Sequence, residues 1–125
     1  MKNIIIAVNN STLEATLNDS PTAHMLLDIL PIESTVNTWG DEIYFKIPLE
    51  TGEEPDACEE VDIGTLAYWP QGPALCIFFG PTPVSKGDKP RAYSPVNIVG
   101  TLSRDLGLLK SVANGATIWV NISKG

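Results

Sequence analysis

The one histidine of the chain is the first candidate for chemistry. His24 precedes Asp28 by four residues, a spacing that places two side chains on the same face of a helix. Such a pair could act as a general base. It could equally be a surface pair that stabilises the helix by about 0.2–0.5 kcal/mol. We favour the surface pair, because no activated nucleophile accompanies these residues in the local sequence.

The two cysteines do not complete a metal-binding set with that histidine. A zinc site needs three or four Cys, His or acidic ligands, and Cys58, Cys76 and His24 are well separated in the sequence. Acids surround Cys58, which raises the pKa of a thiol and makes it a poor nucleophile. Cys76 lies in an apolar stretch and is predicted to be buried. We therefore expect no metal, no cofactor and no disulfide between the two thiols.

Two further patterns carry little chemistry. Asp41 and Glu42 could form a carboxylate pair, but consecutive residues of a strand point to opposite faces. A turn Asp followed by one outward Glu is the favoured interpretation. The glycine loops at residues 80–83 (GPTP) and 87–90 (GDKP) have proline where a phosphate site needs backbone N–H donors. We therefore predict no catalytic residue from local motifs.

The charge of the chain is concentrated in one segment. Of 125 residues, 15 are acidic and 8 basic, for a net charge of −7. Residues 50–62 (ETGEEPDACEEVD) hold seven acids and no base. We favour a solvated, irregular loop here, since crowded like charges with Gly and Pro disfavour regular structure. A docking arm for a basic partner and a loose divalent-cation site are the open alternatives. An acidic chain is a poor candidate for nucleic acid or an anionic membrane.

The amino end does not resemble a targeting segment. The apolar run Ile4 to Val8 is shorter than the roughly 7–15 residues of a secretory signal and the ~20 of a membrane span. Two cysteines without such a signal are typical of a reducing compartment. We expect a soluble, cytoplasmic protein.

Short strands dominate the predicted secondary structure. A helix is predicted over residues 21–30, with Ser20 as its N-cap, Pro21 at its first position and Pro31 ending it. A second short helix is predicted over 105–113. The predicted strands cover residues 2–8, 11–17, 32–39, 42–47, 63–69, 74–79, 95–102 and 116–122.

Two of these strands predict how the sheet is covered. In residues 42–47, Ile43 and Phe45 share one face while Glu42 and Tyr44 share the other. Residues 74–79 are apolar on both faces, which indicates a strand with something packed outside it. Eight strands without a βαβ rhythm predict a mainly β, closed eight-stranded barrel capped by two short helices. Residues 1–125 are expected to form a single domain.

Three blocks of sequence carry a family resemblance. Residues 34–45 (STVNTWGDEIYF), 67–83 (AYWPQGPALCIFFGPTP) and 94–100 (SPVNIVG) resemble the small prokaryotic cyclophilin-like domain family. Its members are single domains of about this length, largely without assigned function. The resemblance implies a closed barrel and a shallow binding groove outside one barrel face, with Phe79 in the groove.

The catalytic residues of true cyclophilins do not carry over. No Arg precedes Arg91, so the strand that should carry the polarising Arg has none. Ile77 stands where the related enzymes have Gln, and no His comes just before Ile98. Arg91 would have to fold back from its loop to serve the groove.

The remaining candidate site is aromatic. Six aromatic residues lie in or beside the matching blocks: Trp39, Tyr44, Trp69, Phe78, Phe79 and Tyr93. A groove with apolar walls and a few polar groups is the usual form of a ligand site. Core packing is the alternative role for each ring, and we favour it for Phe78. The predicted ligand-binding set is Glu42, Tyr44, Trp69, Phe79, Thr82, Arg91 and Asn97.

These features favour a non-catalytic binding module that takes a peptide segment or small molecule near Trp69 and Phe79. The first alternative is a divergent peptidyl-prolyl isomerase that uses Arg91 or binding geometry alone. The second, implied by the resemblance, is a docking subunit of an amide- or lactam-hydrolysing complex. A homo-oligomer or a partner protein is compatible with all three.

Overall fold

The computed structural model describes residues 2–123. Its strands are β1 (Asn3–Val8), β2 (Ser11–Leu17), β3 (Ile32–Thr35), β4 (Asn37–Thr38), β5 (Glu42–Lys46), β6 (Cys58–Glu60), β7 (Thr65–Trp69), β8 (Ala74–Phe78), β9 (Arg91–Thr101) and β10 (Thr117–Ile122). The helix α1 spans Pro21–Asp28, and a 3₁₀ helix spans Leu106–Ser111. The prediction of a mainly β chain with two short helices is confirmed.

The helix α1 forms where its capping residues predict it. The Ser20 hydroxyl accepts a hydrogen bond from the Ala23 N–H, and Pro21 occupies the first turn. Both features satisfy or remove N–H groups that the first turn would otherwise leave unpaired. Ala23 and Leu26 are buried in the main core, so the predicted apolar stripe does face the sheet.

The sheet is antiparallel and runs in the order β3-β10-β1-β2-β9-β7-β8-β5-β4, with β6 paired to β9 off this path. The prediction of a closed, eight-stranded barrel is wrong in strand number and in closure. Among the described residues, no backbone ladder joins the two ends of the sheet. The reason is that β3 and β4 are consecutive pieces of one extended segment around Val36, paired to β10 and to β5 respectively.

The two edges are nevertheless close together. The Ser34 hydroxyl donates a hydrogen bond to the Lys46 carbonyl oxygen at 2.7 Å. The Val36 N–H donates to the Ala116 carbonyl oxygen, and the Val36 carbonyl accepts from the Gly115 N–H. The backbone groups of Val36 are therefore used on the turn before β10 and are not free to extend a ladder to β5.

Strands β5, β7 and β8 separate two apolar layers. We call inner the face that contributes to the larger core, and outer the opposite face. The inner face of these strands carries Ile43, Phe45, Leu66, Tyr68, Leu75 and Ile77. The outer face packs Ala67, Cys76 and Phe78 against Val61, Ala92 and Val96. All five residues of β8 are buried, which confirms that this strand is covered on both sides.

The cover on the outer face consists of β6 and the first half of β9, which we call the flap (residues 58–60 and 91–96). Cys58 pairs with Val96, and Glu60 pairs with Arg91. Beyond Pro95, β9 leaves the flap and pairs with β7 and β2. The prediction that residues 50–62 are a solvated, irregular loop is therefore wrong for β6 and for the buried Val61.

No helix among residues 2–123 has the length and apolar character needed to cross a bilayer.

Candidate ligand pocket

A pocket opens on the outer face of the sheet, beside the flap. Its volume is about 160 Å³. Its walls are mostly aromatic or apolar, with one carboxyl group and one thiol. The residues that line it are Trp39, Glu42, Tyr44, Trp69, Cys76, Ala92, Tyr93 and Val96.

The sheet register brings the floor of the pocket together. Tyr44 on β5 lies opposite Cys76 on β8, and Glu42 lies opposite Phe78. Side chains directly opposite in antiparallel strands share a face. Glu42, Tyr44 and Cys76 therefore all point to the outer face, as the alternation in residues 42–47 predicts for the first two.

Four aromatic rings form the walls and contact one another in sequence. The ring centroids of Trp39 and Tyr93 are 6.1 Å apart, those of Tyr93 and Trp69 6.2 Å, and those of Trp69 and Tyr44 6.0 Å. The interplanar angles are 73°, 78° and 81°. Edge-to-face pairs at these distances are a favoured arrangement of aromatic rings. The rings support one another and hold the walls at steep angles.

Trp69 is further fixed by a hydrogen bond. Its indole Nε1–H donates to the Ser94 hydroxyl at 2.6 Å. Ser94 is on the flap half of β9, so this bond ties the end of β7 to the flap. Satisfying the indole N–H leaves the ring of Trp69 oriented and half-buried, with apolar surface available to the pocket.

Glu42 is the polar group of the pocket. It is only 5% exposed, and in the described part of the chain its Oε1 is a buried atom without a hydrogen-bond partner. Burial raises the pKa of Glu42 from 4.5 to about 7, and a hydrogen bond from the Cys76 side chain partly opposes that rise. Both the neutral acid and the carboxylate are therefore populated near neutral pH, and the group can donate or accept a hydrogen bond.

The Cys76 thiol lies beside this carboxyl group and is itself protonated. Burial raises the pKa of Cys76 well above 9.0, and the negative charge of Glu42 raises it further. A thiolate is the nucleophilic form of cysteine. Cys76 therefore contributes a buried wall to the pocket, as the sequence predicts, and not a nucleophile.

Only part of the predicted ligand-binding set meets in this pocket. Glu42, Tyr44 and Trp69 line it. Phe79 is instead buried in the main core, on the inner side, and so is not near Trp69 in a common groove. Thr82 is also buried, and its hydroxyl donates to the Arg91 carbonyl oxygen at 2.5 Å, which ties the loop before β9 to the flap.

Arg91 lies on the flap but not in the pocket lining. Its guanidinium Nη2 donates to the Glu59 carboxylate at 2.5 Å. The pair joins β9 to β6, so Arg91 stabilises the flap, whereas the sequence predicts it among the ligand-binding residues.

Asn97 organises the acidic segment and not the pocket. Its amide donates to the Thr22 hydroxyl at 3.1 Å and to the Gly52 carbonyl oxygen at 3.0 Å. Its side-chain oxygen accepts from the Glu54 N–H at 2.9 Å. The Glu54 carboxylate in turn accepts from the Thr22 N–H at 2.9 Å and from the Thr22 hydroxyl. One acid of the run therefore caps α1.

The pocket contains five residues that the predicted set omits: Trp39, Cys76, Ala92, Tyr93 and Val96. Trp39 and Tyr93 belong to the aromatic group singled out in the sequence, and that grouping was the signal for them. Ala92 and Val96 reach the pocket only because β9 begins at Arg91 and folds over the sheet, which no local pattern indicates.

His24 is not among the residues that line the pocket. His24 Nε2 contacts Asp19 Oδ1 at 2.8 Å, with both side chains mostly exposed. The surface-pair interpretation holds, but its partner is Asp19 and not Asp28. No group of three or more His, Cys, Asp or Glu residues within residues 2–123 is arranged to hold a metal ion.

Comparisons with known proteins agree with this architecture. A family model described as cyclophilin-like matches residues 2–121. The chain is 36% identical to the hypothetical protein AF2241 from Archaeoglobus fulgidus, whose solution structure superposes with a TM-score of 0.82 over 98% of this chain and 95% of that one. No curated protein matches the sequence.

A second solved structure, McbB in complex with tryptophan, is similar in fold. It superposes with a TM-score of 0.70 at 19% identity, over 98% of this chain and 45% of McbB. The chain therefore corresponds to about half of that larger protein.

Proposed function

The chain belongs to the cyclophilin-like family, and we propose that it binds a small ligand in the outer-face pocket. The aromatic rings serve as walls and Glu42 as the polar anchor. The observation that carries the proposal is the buried Glu42 Oε1, which has no hydrogen-bond partner among residues 2–123, in a pocket walled by four aromatic rings. An unsatisfied buried polar group costs about 1–3 kcal/mol, and a ligand that pairs with it recovers that cost.

The size of the pocket supports a small ligand. A cavity of about 150 Å³ admits a benzene-sized molecule, and this pocket is of that size. It matches one ring or one compact branched group, not an extended peptide backbone. A ligand larger than this would place one group in the pocket and leave the remainder on the surface near Tyr93, which is 69% exposed.

Nuclear magnetic resonance tests this proposal directly. The chain has three tryptophans, of which Trp39 and Trp69 line the pocket, while Trp119 lies on β10 and bonds to Glu33. A library of ring-sized fragments, with L-tryptophan and tryptamine included because of McbB, is titrated against labelled protein. Binding shifts the indole N–H signals of Trp39 and Trp69 and leaves that of Trp119 in place. A library that moves none of them, or all three alike, contradicts the proposal.

Catalysis is the second candidate, and Glu42 is the observation that favours it. A carboxyl group with a pKa of about 7 in an apolar pocket suits general acid–base work at neutral pH. Prolyl isomerisation is the reaction to test first because of the family, although the Arg91 guanidinium is engaged by Glu59.

A coupled assay on a prolyl peptide separates the two candidates. Activity that Glu42→Gln abolishes and Arg91→Ala retains assigns catalysis to the pocket. Activity that Arg91→Ala abolishes assigns it to the guanidinium. If the native protein binds fragments but does not accelerate isomerisation of the prolyl peptide, the result supports binding and argues against catalysis on prolyl peptides.

A further inference from the structure

Resting on the proposed binding function, we propose that the pocket recognises an alkylammonium group, either a protonated or a quaternary amine. Its positive charge lies between the Glu42 carboxylate and the rings of Trp39, Tyr44, Trp69 and Tyr93. This names the chemical class of the ligand, which the binding function alone leaves open.

The ring geometry fits a cation. The four rings line one small cavity, and neighbouring rings are inclined to one another by 73–81°. Aromatic rings attract a cation through their negative faces, and the recurrent site for quaternary ammonium ions is a cage of such rings. A cavity of about 160 Å³ is large enough for a compact ammonium head group.

The charges around Glu42 also fit a cation. Among the described residues that line the pocket with it, none is a lysine, an arginine or a second acid. Asp41 precedes it and is acidic. The nearest flap cation, Arg91, pairs with Glu59. A buried carboxylate is stable only when a partner compensates its charge, and an ammonium ligand supplies that partner.

The net charge of −7 acts in the same direction. A negative surface potential raises the local concentration of small cations and lowers that of anions. A ligand with a carboxylate would meet the carboxyl group of Glu42 in the pocket. The charge of the chain therefore favours an amine over an acid as the occupant.

The pH dependence of binding has opposite signs for the two ligand classes. A cation binds the ionised form of Glu42, whose pKa is about 7. By linkage, its affinity rises about tenfold from pH 6 to pH 8. A ligand that needs the protonated acid as a donor shows the reverse trend.

The test compares two molecules of nearly equal shape. Choline carries a trimethylammonium group, and 3,3-dimethylbutan-1-ol replaces the nitrogen with carbon. Each is titrated at pH 6 and pH 8, with the indole signals of Trp39 and Trp69 as the readout. We expect choline to bind at least tenfold more tightly than the alcohol at pH 8, with the difference shrinking at pH 6.

Variants assign the effect to Glu42. Glu42→Gln keeps the shape of the side chain, and we expect it to weaken choline binding about tenfold at pH 8 and to remove its pH dependence, while the alcohol binds as before. Glu60→Gln on β6 removes an exposed charge and serves as the matched control with unchanged affinity.

The outcomes separate this inference from the binding function. Equal binding of choline and the alcohol overturns the amine inference and retains the pocket as an apolar site. An acidic fragment that binds more tightly than choline, and more tightly at pH 6 than at pH 8, also overturns the amine inference. Failure of every fragment to bind overturns both the amine inference and the binding function.

A peptide that carries trimethyllysine distinguishes the two sources of an alkylammonium group. Tighter binding than choline indicates an amine carried by a protein, and weaker binding indicates a free small molecule.

Discussion

Glu42 and Cys76 lie diagonally across β5 and β8 on the same face of the sheet. Tyr44 stands opposite Cys76 and Glu42 opposite Phe78, so the carboxyl and the thiol are neighbours in adjacent strands. Burial raises the pKa of Glu42, and the Cys76 hydrogen bond lowers it again in part. In return, burial and then the Glu42 charge raise the pKa of Cys76. The thiol thus lies beside the carboxyl group and stays protonated, so it does not become a nucleophile.

The first prediction concerns Glu42 and the pH dependence of stability. The pKa of this acid is about 7 in the folded chain against 4.5 ordinarily, so the folded state binds more protons between these values. The contribution of Glu42 to the free energy of unfolding therefore falls as pH rises from about 4.5 to 7. Glu42→Gln removes this dependence. We expect the variant to gain up to about 3 kcal/mol relative to the native chain between pH 4.5 and pH 8.

Denaturant unfolding at several pH values measures this difference. Glu60→Gln, which removes an exposed acid, is the control and should follow the native profile. A Glu42→Gln chain that loses stability relative to the native one as pH rises would contradict the raised pKa, because it would mean that the folded state stabilises the carboxylate.

The second prediction concerns the aromatic walls. Trp69 contacts both Tyr44 and Tyr93 and donates to Ser94. Trp69→Phe removes the donor and part of the wall, and we expect it to weaken ligand binding at least tenfold. Trp119→Phe removes a half-exposed ring outside the pocket and should leave affinity unchanged. Titrations with the best fragment measure both, and equal affinities in the two variants would place the ligand elsewhere.

The third prediction concerns Asn97. Its side chain is 1% exposed and bonds Thr22, Gly52 and Glu54. Asn97→Ala leaves those groups without their partner, and we expect a loss of about 2–3 kcal/mol in the free energy of unfolding. Ligand affinity should be unchanged, because Asn97 does not line the pocket.

Asn37→Ala is the matched control for this substitution. Asn37 is exposed on β4, so its loss should cost less than about 0.5 kcal/mol. A weakened ligand affinity in Asn97→Ala with normal stability would instead place Asn97 in the ligand-binding site, as predicted from the sequence.

Local alternation made two of the eight pocket-lining residues predictable. The period of two in residues 42–47 puts Glu42 and Tyr44 on one face, and the doubly apolar β8 indicates a second layer outside it. The same alternation applied to β8 places Cys76 and Phe78 on one face and Ile77 on the other, which leaves Phe79 on the inner side. The groove role of Phe79 came from the family resemblance, and the strand period argued against it.

The flap could not be predicted, because its pairing is long-range. The acidic run suggested repulsion, yet Cys58–Glu60 forms β6 because β9 supplies a partner and Arg91 compensates Glu59. The sequence predicts a strand that begins at Pro95. In the structure Pro95 lies within β9, where the strand passes from the flap to the main sheet. The prediction of a closed barrel was wrong for a related reason. One extended segment forms both edge strands, β3 paired with β10 and β4 paired with β5.

The fourth prediction concerns the two thiols. Cys58 is partly buried, and burial followed by the Asp56 charge raises its pKa. Cys76 is 1% exposed beneath the flap, with its pKa raised well above 9.0. With excess Ellman's reagent at pH 8, we expect Cys58 to react more slowly than a free cysteine. Cys76 should react roughly a hundredfold more slowly still, because it needs an opening of the flap that costs about 3 kcal/mol.

Cys58→Ser isolates the slow thiol, and its reaction rate then reports opening of the flap alone. Arg91→Ala removes the ion pair between β9 and β6, so we expect it to accelerate labelling of Cys76 severalfold. A bound ligand should slow the same reaction, since Cys76 lines the pocket. Rapid labelling of Cys76 in the Cys58→Ser chain would show that the flap does not cover the outer face, and the pocket would lose its wall.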